Sequence, residues 1–304
     1  MNYKKHILHD YFNPIFLVFF RISIGLVVMV HFISYWKDFE LLYTNQSIVP
    51  LELHSLISSY NIININEILS LLNVVFDTEA VLAFKIIYIL LSFFIIVGFF
   101  SRISALLLMI IQVSFIKYGS IFNYGADFFT TMSLFYIFIF PSSSYYSIQN
   151  FLFPKISKNW QSITLCKRLI QIHLCIAYFF SGLDKILGFN WWNGEAVWKA
   201  MHLPNFNRFI VLSDYIISPI FYIFIGWGTI ITELLYPIFI NLNTTRKLWL
   251  ILTIGMHLGI IISFNLFFFS AIMITWNLTA YYFNYYEKSD FKNPAANPVS
   301  LAKS

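Results

Sequence analysis

LCKRLIQIHLCIAYFFSGLDKILGFNWWNGEAVWKAMHLP, running from Leu165 to Pro204, decides how this chain reads. It starts as an apolar run long enough to cross a bilayer. At the end of that run stand a glycine, an acid and a lysine, Gly182, Asp184 and Lys185. An aromatic turn with its own glycine follows (Phe189, Trp191, Trp192, Gly194), then a short helical piece. An ionisable pair at the mouth of a membrane helix is costly to place, so it is a functional-site hypothesis by default.

The remainder of the chain makes the membrane reading firm. Of 304 residues, 59% are hydrophobic and only 11% charged, and the mean hydropathy is +0.73. A soluble domain carries roughly 25% charged residues, so this chain has too few to cover a water-facing surface. The net charge of +5 does not point to nucleic acid, because the basic residues are scattered between apolar runs, with no basic helix or aromatic-basic alternation. Cys166 and Cys175 lie in one apolar helix and are too far apart along it to bond to each other. With no CxxC or Cys/His cluster, neither a disulfide scaffold nor a zinc site is expected. The basic start, MNYKKHILHDYFNP, leads into a long apolar run without a small-residue cleavage site, which suits a retained first span.

Apolar stretches recur at Pro14–Tyr35, Ala80–Phe100, Arg102–Phe122, Ala126–Phe140, Thr164–Leu187, Ile216–Ile240, Leu248–Ser263 and Leu266–Phe283. They predict an all-α polytopic membrane helical bundle of about eight transmembrane helices, the fourth and the last two being short for a span. Lys4, Lys5, Arg102, Lys155, Lys158, Lys167, Arg168, Arg246, Lys247, Lys288, Lys292 and Lys303 fall on one side of that arrangement. The acidic segment Lys37–Glu79 falls on the other. The bias puts both termini in the cytoplasm and Lys185 toward the exoplasmic face. Residues 1–13 and 284–304 read as polar cytoplasmic tails on a single domain covering 1–304, and a cell membrane, a bacterial inner membrane, is the expected location.

On the opening helix Gln171, Tyr178, Gly182 and Lys185 recur at heptad and i+3 spacings and share a face, while His173 and Asp184 share another. Lys185 reads two ways: a lysine snorkelling to the interface, or a desolvated general base or anion anchor. Trp192, with Trp191, is an interfacial anchor or part of a re-entrant cap over a cavity. His257, in GMHLGIIISFNL, is a packing histidine or a working one. Glu233, in TELLYPIF, needs a cation if it lies within the bilayer, and Arg21 and Arg102 are the candidates. Asp127, in FNYGADFF, fits a helix-start acid stabilised by the dipole. No Walker loop, dinucleotide fingerprint, HExxH or nucleophile elbow is present.

FFRISIGLVVMVHF, QSIVPL, GFFSRISALLLMI, YGADFFTTMSLFYIFIFP, YFFSGLDKILGFNWWNGEAVW, TELLYPIFI and MHLGIIISFNLFFFSAIM, taken in order, resemble the horizontally transferred transmembrane (HTTM) family. That membrane domain also occurs in vitamin K-dependent γ-glutamyl carboxylase. The resemblance implies that Lys185 matches the base that deprotonates vitamin K hydroquinone, and that His257 matches a histidine of the same membrane region. The expected catalytic group is therefore Lys185, His257, Asp184 and Asp127, with Tyr178, Gln171 and Trp192 binding substrate. A quinone or reduced vitamin K-like molecule is the implied small molecule, beside the lipid bilayer itself. The chain departs from the carboxylase at Asp184, where that enzyme has a lysine, near Asp127, where it has a histidine, and in its short tail. Two rival functions stand beside a carboxylase- or epoxidase-like enzyme. One is a non-catalytic module that escorts or matures a peptide partner, and the other is a transporter, for which no inverted repeat speaks.

Overall fold

Without water to bond them, backbone amides and carbonyls in an apolar run must satisfy one another, and a helix does this within one segment. The computed structural model describes residues 14–43, 48, 78–118, 123–154, 160–203, 212–216 and 218–284. Outside them lie residues 1–13 and 285–304 of the tails, most of the acidic Lys37–Glu79 segment, most of QSIVPL, and Lys155 and Lys158. Among the described residues every regular element is helical. Each of the eight apolar stretches is helical along most of its length. Four of these helices are long and apolar enough to cross a membrane, and four are apolar but shorter. The chain divides into two compact units, residues 17–157 and residues 158–304 together with 1–16.

Five helices make up most of the first unit: α1 (Ile15–Ser34, whose first two residues count with the other unit), α2 (Phe39–Tyr43), α3 (Thr78–Val97), α4 (Ser101–Tyr118) and α5 (Gly125–Ile139). A short helix, α6 (Ile148–Leu152), follows them. Helix α3 packs on α4, and α4 on α5. Phe32 of α1 stacks on Tyr88 of α3 at 3.9 Å between ring centroids. Lys85 is buried in α3 and takes Glu40 as its counter-ion at 3.2 Å. Asp127 behaves as a helix-start acid: Tyr124 N donates to its Oδ2 at 3.1 Å and Gln112 Nε2 to its Oδ1 at 3.2 Å.

The two arginines expected to pair with Glu233 do something else. Arg21 donates to the carbonyls of Ser142 (3.1 Å) and Tyr146 (2.8 Å). Arg102 donates to those of Ile139 and Phe140, each at 3.2 Å. The last carbonyls of a helix have no amide partner and carry partial negative charge. Both guanidiniums therefore brace the end of α5 and the turn after it.

The second unit contains α7 (Trp160–Leu187), α8 (Phe189–Trp192), α9 (Glu195–His202), α10 (Leu212–Tyr215), α11 (Pro219–Leu234), α12 (Tyr236–Phe239), α13 (Arg246–Phe264) and α14 (Phe267–Tyr281). The sixth apolar stretch is not one helix, because it breaks after Leu234 and resumes as α12. Pro237 explains the break, since it has no N–H to offer the preceding turn and its ring crowds the carbonyl four residues back. Helix α7 packs along both α11 and α14, and α13 with α14 forms a hairpin. At Gly182 the backbones of α7 and α11 meet so closely that a Cβ would lie 2.6 Å from Leu234 N. Only glycine fits there.

The pairing of α7 with α11 continues beyond the end of α7. The indole of Trp227 donates to the carbonyl of Trp192 in α8, and Val197 and Met201 of α9 pack on Tyr222. Gly194 enters α9 with φ of 77°, a conformation open chiefly to glycine, and lies against Tyr222 and Ile223. Segment 189–202 thus folds back over the first half of α11, as a re-entrant cap would. Its outer face is held by Lys199, whose hydrogen bond to Glu195 at 2.8 Å keeps that carboxyl below its ordinary range.

Candidate functional site

Because the cap prolongs the α7 arm, Lys185 does not meet the start of α11 but a point near its end. Glu233 lies about 21 Å along the axis from Pro219, at 1.5 Å per residue. There Lys185 Nζ is 2.7 Å from Glu233 Oε2, with side chains 17% and 8% exposed. The same ammonium donates to Ser181 Oγ at 2.6 Å and stands 5.1 Å from the Trp191 ring centroid. Glu233 therefore has its cation on the neighbouring helix, correcting the expectation of Arg21 or Arg102. Gly182 favours this contact, since a Cβ there would press on the Leu234 backbone at 2.6 Å and force α7 and α11 apart.

Two turns deeper along α7 lies a second polar group. Tyr178 Oη is 2.8 Å from His257 Nε2, and Asn277 Nδ2 donates to the same Oη at 2.8 Å. Asn277 Oδ1 accepts from Tyr236 Oη at 2.7 Å, and its other amide proton goes to the carbonyl of Met273. All four side chains are buried. With Asn277 donating to Tyr178, the phenol's own proton is directed to His257 Nε2, which places the imidazole proton on Nδ1. That Nδ1 is buried and has no hydrogen-bond partner among the described residues.

Of the seven residues expected to form a site, the structure brings Lys185, Tyr178 and His257 together. Asp184 is exposed and makes no ion pair or hydrogen bond through its side chain among the described residues. Asp127 belongs to the first unit, tied to Gln112 and Tyr124. Trp192 turns its indole N–H to the carbonyl of Ile186 and its ring against Trp227. Trp191 is the indole that covers Lys185. Gln171 is buried on the same face as Tyr178 but two turns away, donating to the carbonyl of Ala280 at 2.8 Å. It also lines a groove of about 360 Å³ with Cys175, Phe179, Pro237 and Asn241. Glu233, Ser181 and Asn277 were not expected in the site. The intramembrane acid in TELLYPIF is the sequence signal for the pair, and the α7–α11 crossing decides which cation it meets.

A family model described as the HTTM domain matches residues 11–285. The chain belongs to the HTTM family. With its four span-length apolar helices, this HTTM protein is a membrane protein. No curated protein and no solved structure matches it. The matched range includes both the Lys185–Glu233 pair and the Tyr178–His257–Asn277 group.

Proposed function

We propose that this HTTM protein is a carboxylase-related membrane enzyme that deprotonates a hydroxyl-bearing lipidic or quinone-like molecule at the Lys185–Glu233 pair, toward the exoplasmic face of a bacterial inner membrane. The observation that carries this reading is the largely buried ion pair bonded to Ser181, two turns along the same helix from the Tyr178–His257 hydrogen bond. The donor set suits a phenolic hydroxyl. A hydroxyl that displaces Ser181 from Nζ gives its proton to the pair as an Nζ proton moves onto the Glu233 carboxylate. The oxyanion is then left facing an ammonium, and Glu233 is neutral. Trp191 offers a flat apolar wall beside the same ammonium. Tyr178 and His257, fixed by Asn277, hold the wall behind it in one geometry. Asp184 and Trp192 belong to the outer part of this site, and Gln171, through the apolar groove it lines, to the path of a lipid tail.

The test uses the full chain in nanodiscs with a reduced naphthoquinone in air. Proton abstraction by a positioned base contributes about 10²–10⁴-fold, so Lys185→Met should reduce quinol consumption at least a hundredfold while helicity by circular dichroism is unchanged. Full activity in Lys185→Met would end the assignment.

A further inference from the structure

The first unit holds a second polar site, independent of the lysine pair. Arg102, Ser143, Ser144, Gln149, Asn150 and Phe153 line a pocket of about 180 Å³ at the end of α5. None of the described lining residues is acidic. Nε and Nη2 of Arg102 are spent on the carbonyls of Phe140 and Ile139, leaving Nη1 over. Behind the wall Arg21 is 1% exposed, holds the turn through Ser142 and Tyr146, and has a buried Nε without a hydrogen-bond partner among the described residues. Ser142 Oγ, next in sequence to the pocket residue Ser143 and on the turn that Arg21 holds, is likewise buried and without a hydrogen-bond partner among the described residues. One guanidinium with a spare Nη1, two hydroxyls and two amides around the cavity, with a second guanidinium behind the turn and no carboxylate among the described lining residues, make a receptor for a tetrahedral anion.

The rim narrows the choice of anion. Tyr146, Ile148, Phe151, Leu152 and Phe153, the segment bearing the pocket, are exposed apolar side chains on a membrane protein. Exposed aromatic and aliphatic groups on the segment that carries a basic polar pocket, with Phe153 in its wall, match a phospholipid, headgroup in and acyl chains along that segment. We propose that this pocket binds a phosphate-bearing ligand, the headgroup of an anionic phospholipid, with Arg102 and the amides of Gln149 and Asn150 as its contacts.

Native mass spectrometry of the full chain in detergent, titrated with dioleoyl phosphatidylglycerol, tests it. One saturable adduct is expected, and dioleoylglycerol, which lacks phosphate, should neither bind there nor compete. Gln149→Glu keeps the shape, adds a carboxylate beside Arg102, and should weaken the adduct at least tenfold without changing the melting temperature. Asn150→Asp should act in the same direction, so the test does not depend on Arg102→Ala, which also frees the end of α5. Inorganic phosphate that saturates the site with the same sensitivity to Gln149→Glu, where the lipid leaves no adduct, would keep the phosphate chemistry and assign it to the free anion. Equal phosphatidylglycerol binding by wild type and both acidic variants, or equal competition by dioleoylglycerol, would overturn the proposal.

Discussion

Removing one partner of the Lys185–Glu233 pair leaves a charge where there is little water. Glu233 is 8% exposed on its side chain and Lys185 17%, so neither finds solvent when the other is gone. Breaking such a pair from one side costs about 3–5 kcal/mol, whereas removing both charges is often close to neutral. Lys185→Met and Glu233→Gln should therefore each destabilise by about 3–5 kcal/mol. Near 2 °C per kcal/mol for a chain of this size, that is roughly 6–10 °C in melting temperature. The double variant should melt within a few degrees of wild type, giving a coupling energy of roughly 4–10 kcal/mol, the sum of the single losses less what the double variant still loses. Thermal unfolding in one detergent, followed by tryptophan fluorescence for all four proteins, measures this cycle. A double variant that loses the sum of the two single losses would show that the charges do not interact, and the pair could not share a proton.

Three other outcomes follow from the same geometry. Gly182→Ala should cost about 1–3 kcal/mol by overpacking the α7–α11 crossing, where the added Cβ meets backbone at 2.6 Å, and should reduce activity with it. The control Gly228→Ala, with nothing within 4 Å of its Cβ, should be neutral or slightly stabilising in the same melts. Tyr178→Phe leaves Asn277 and His257 without their shared partner and should cost about 1–3 kcal/mol in thermal unfolding. Asp184→Asn, at an exposed side chain, should stay within about 0.5 kcal/mol of wild type in the same assay.

The helices were legible because an apolar run of span length has few other ways to satisfy its backbone. The shared face of Gln171, Tyr178 and Gly182 was legible from spacing alone, and all three are buried. Less legible was anything set by where two helices meet. That Glu233 takes its cation from Lys185 depends on the crossing of α7 with α11 at Gly182, which neither helix shows in its own sequence. The choice between Trp191 and Trp192 depended on the turn at Gly188, which rotates one indole over the ammonium and the other toward Trp227. Pro237 marked the break in the sixth stretch, yet apolar residues on both sides masked it. Asp127 was the reverse case, since its place at the start of a helix was plain from sequence, and its bonds to Tyr124 and Gln112 follow from that place.

The central claim is that the Lys185–Glu233 pair ionises a bound hydroxyl, and the ultraviolet spectrum of a reduced naphthoquinone bound to the full chain in anaerobic nanodiscs tests it most directly. Wild type should display the red-shifted band of the hydroquinone monoanion at a bulk pH where the free compound is protonated, and Lys185→Met should display the neutral spectrum with the ligand still bound. A neutral spectrum on wild type, or the same anion band on Lys185→Met, would contradict the account.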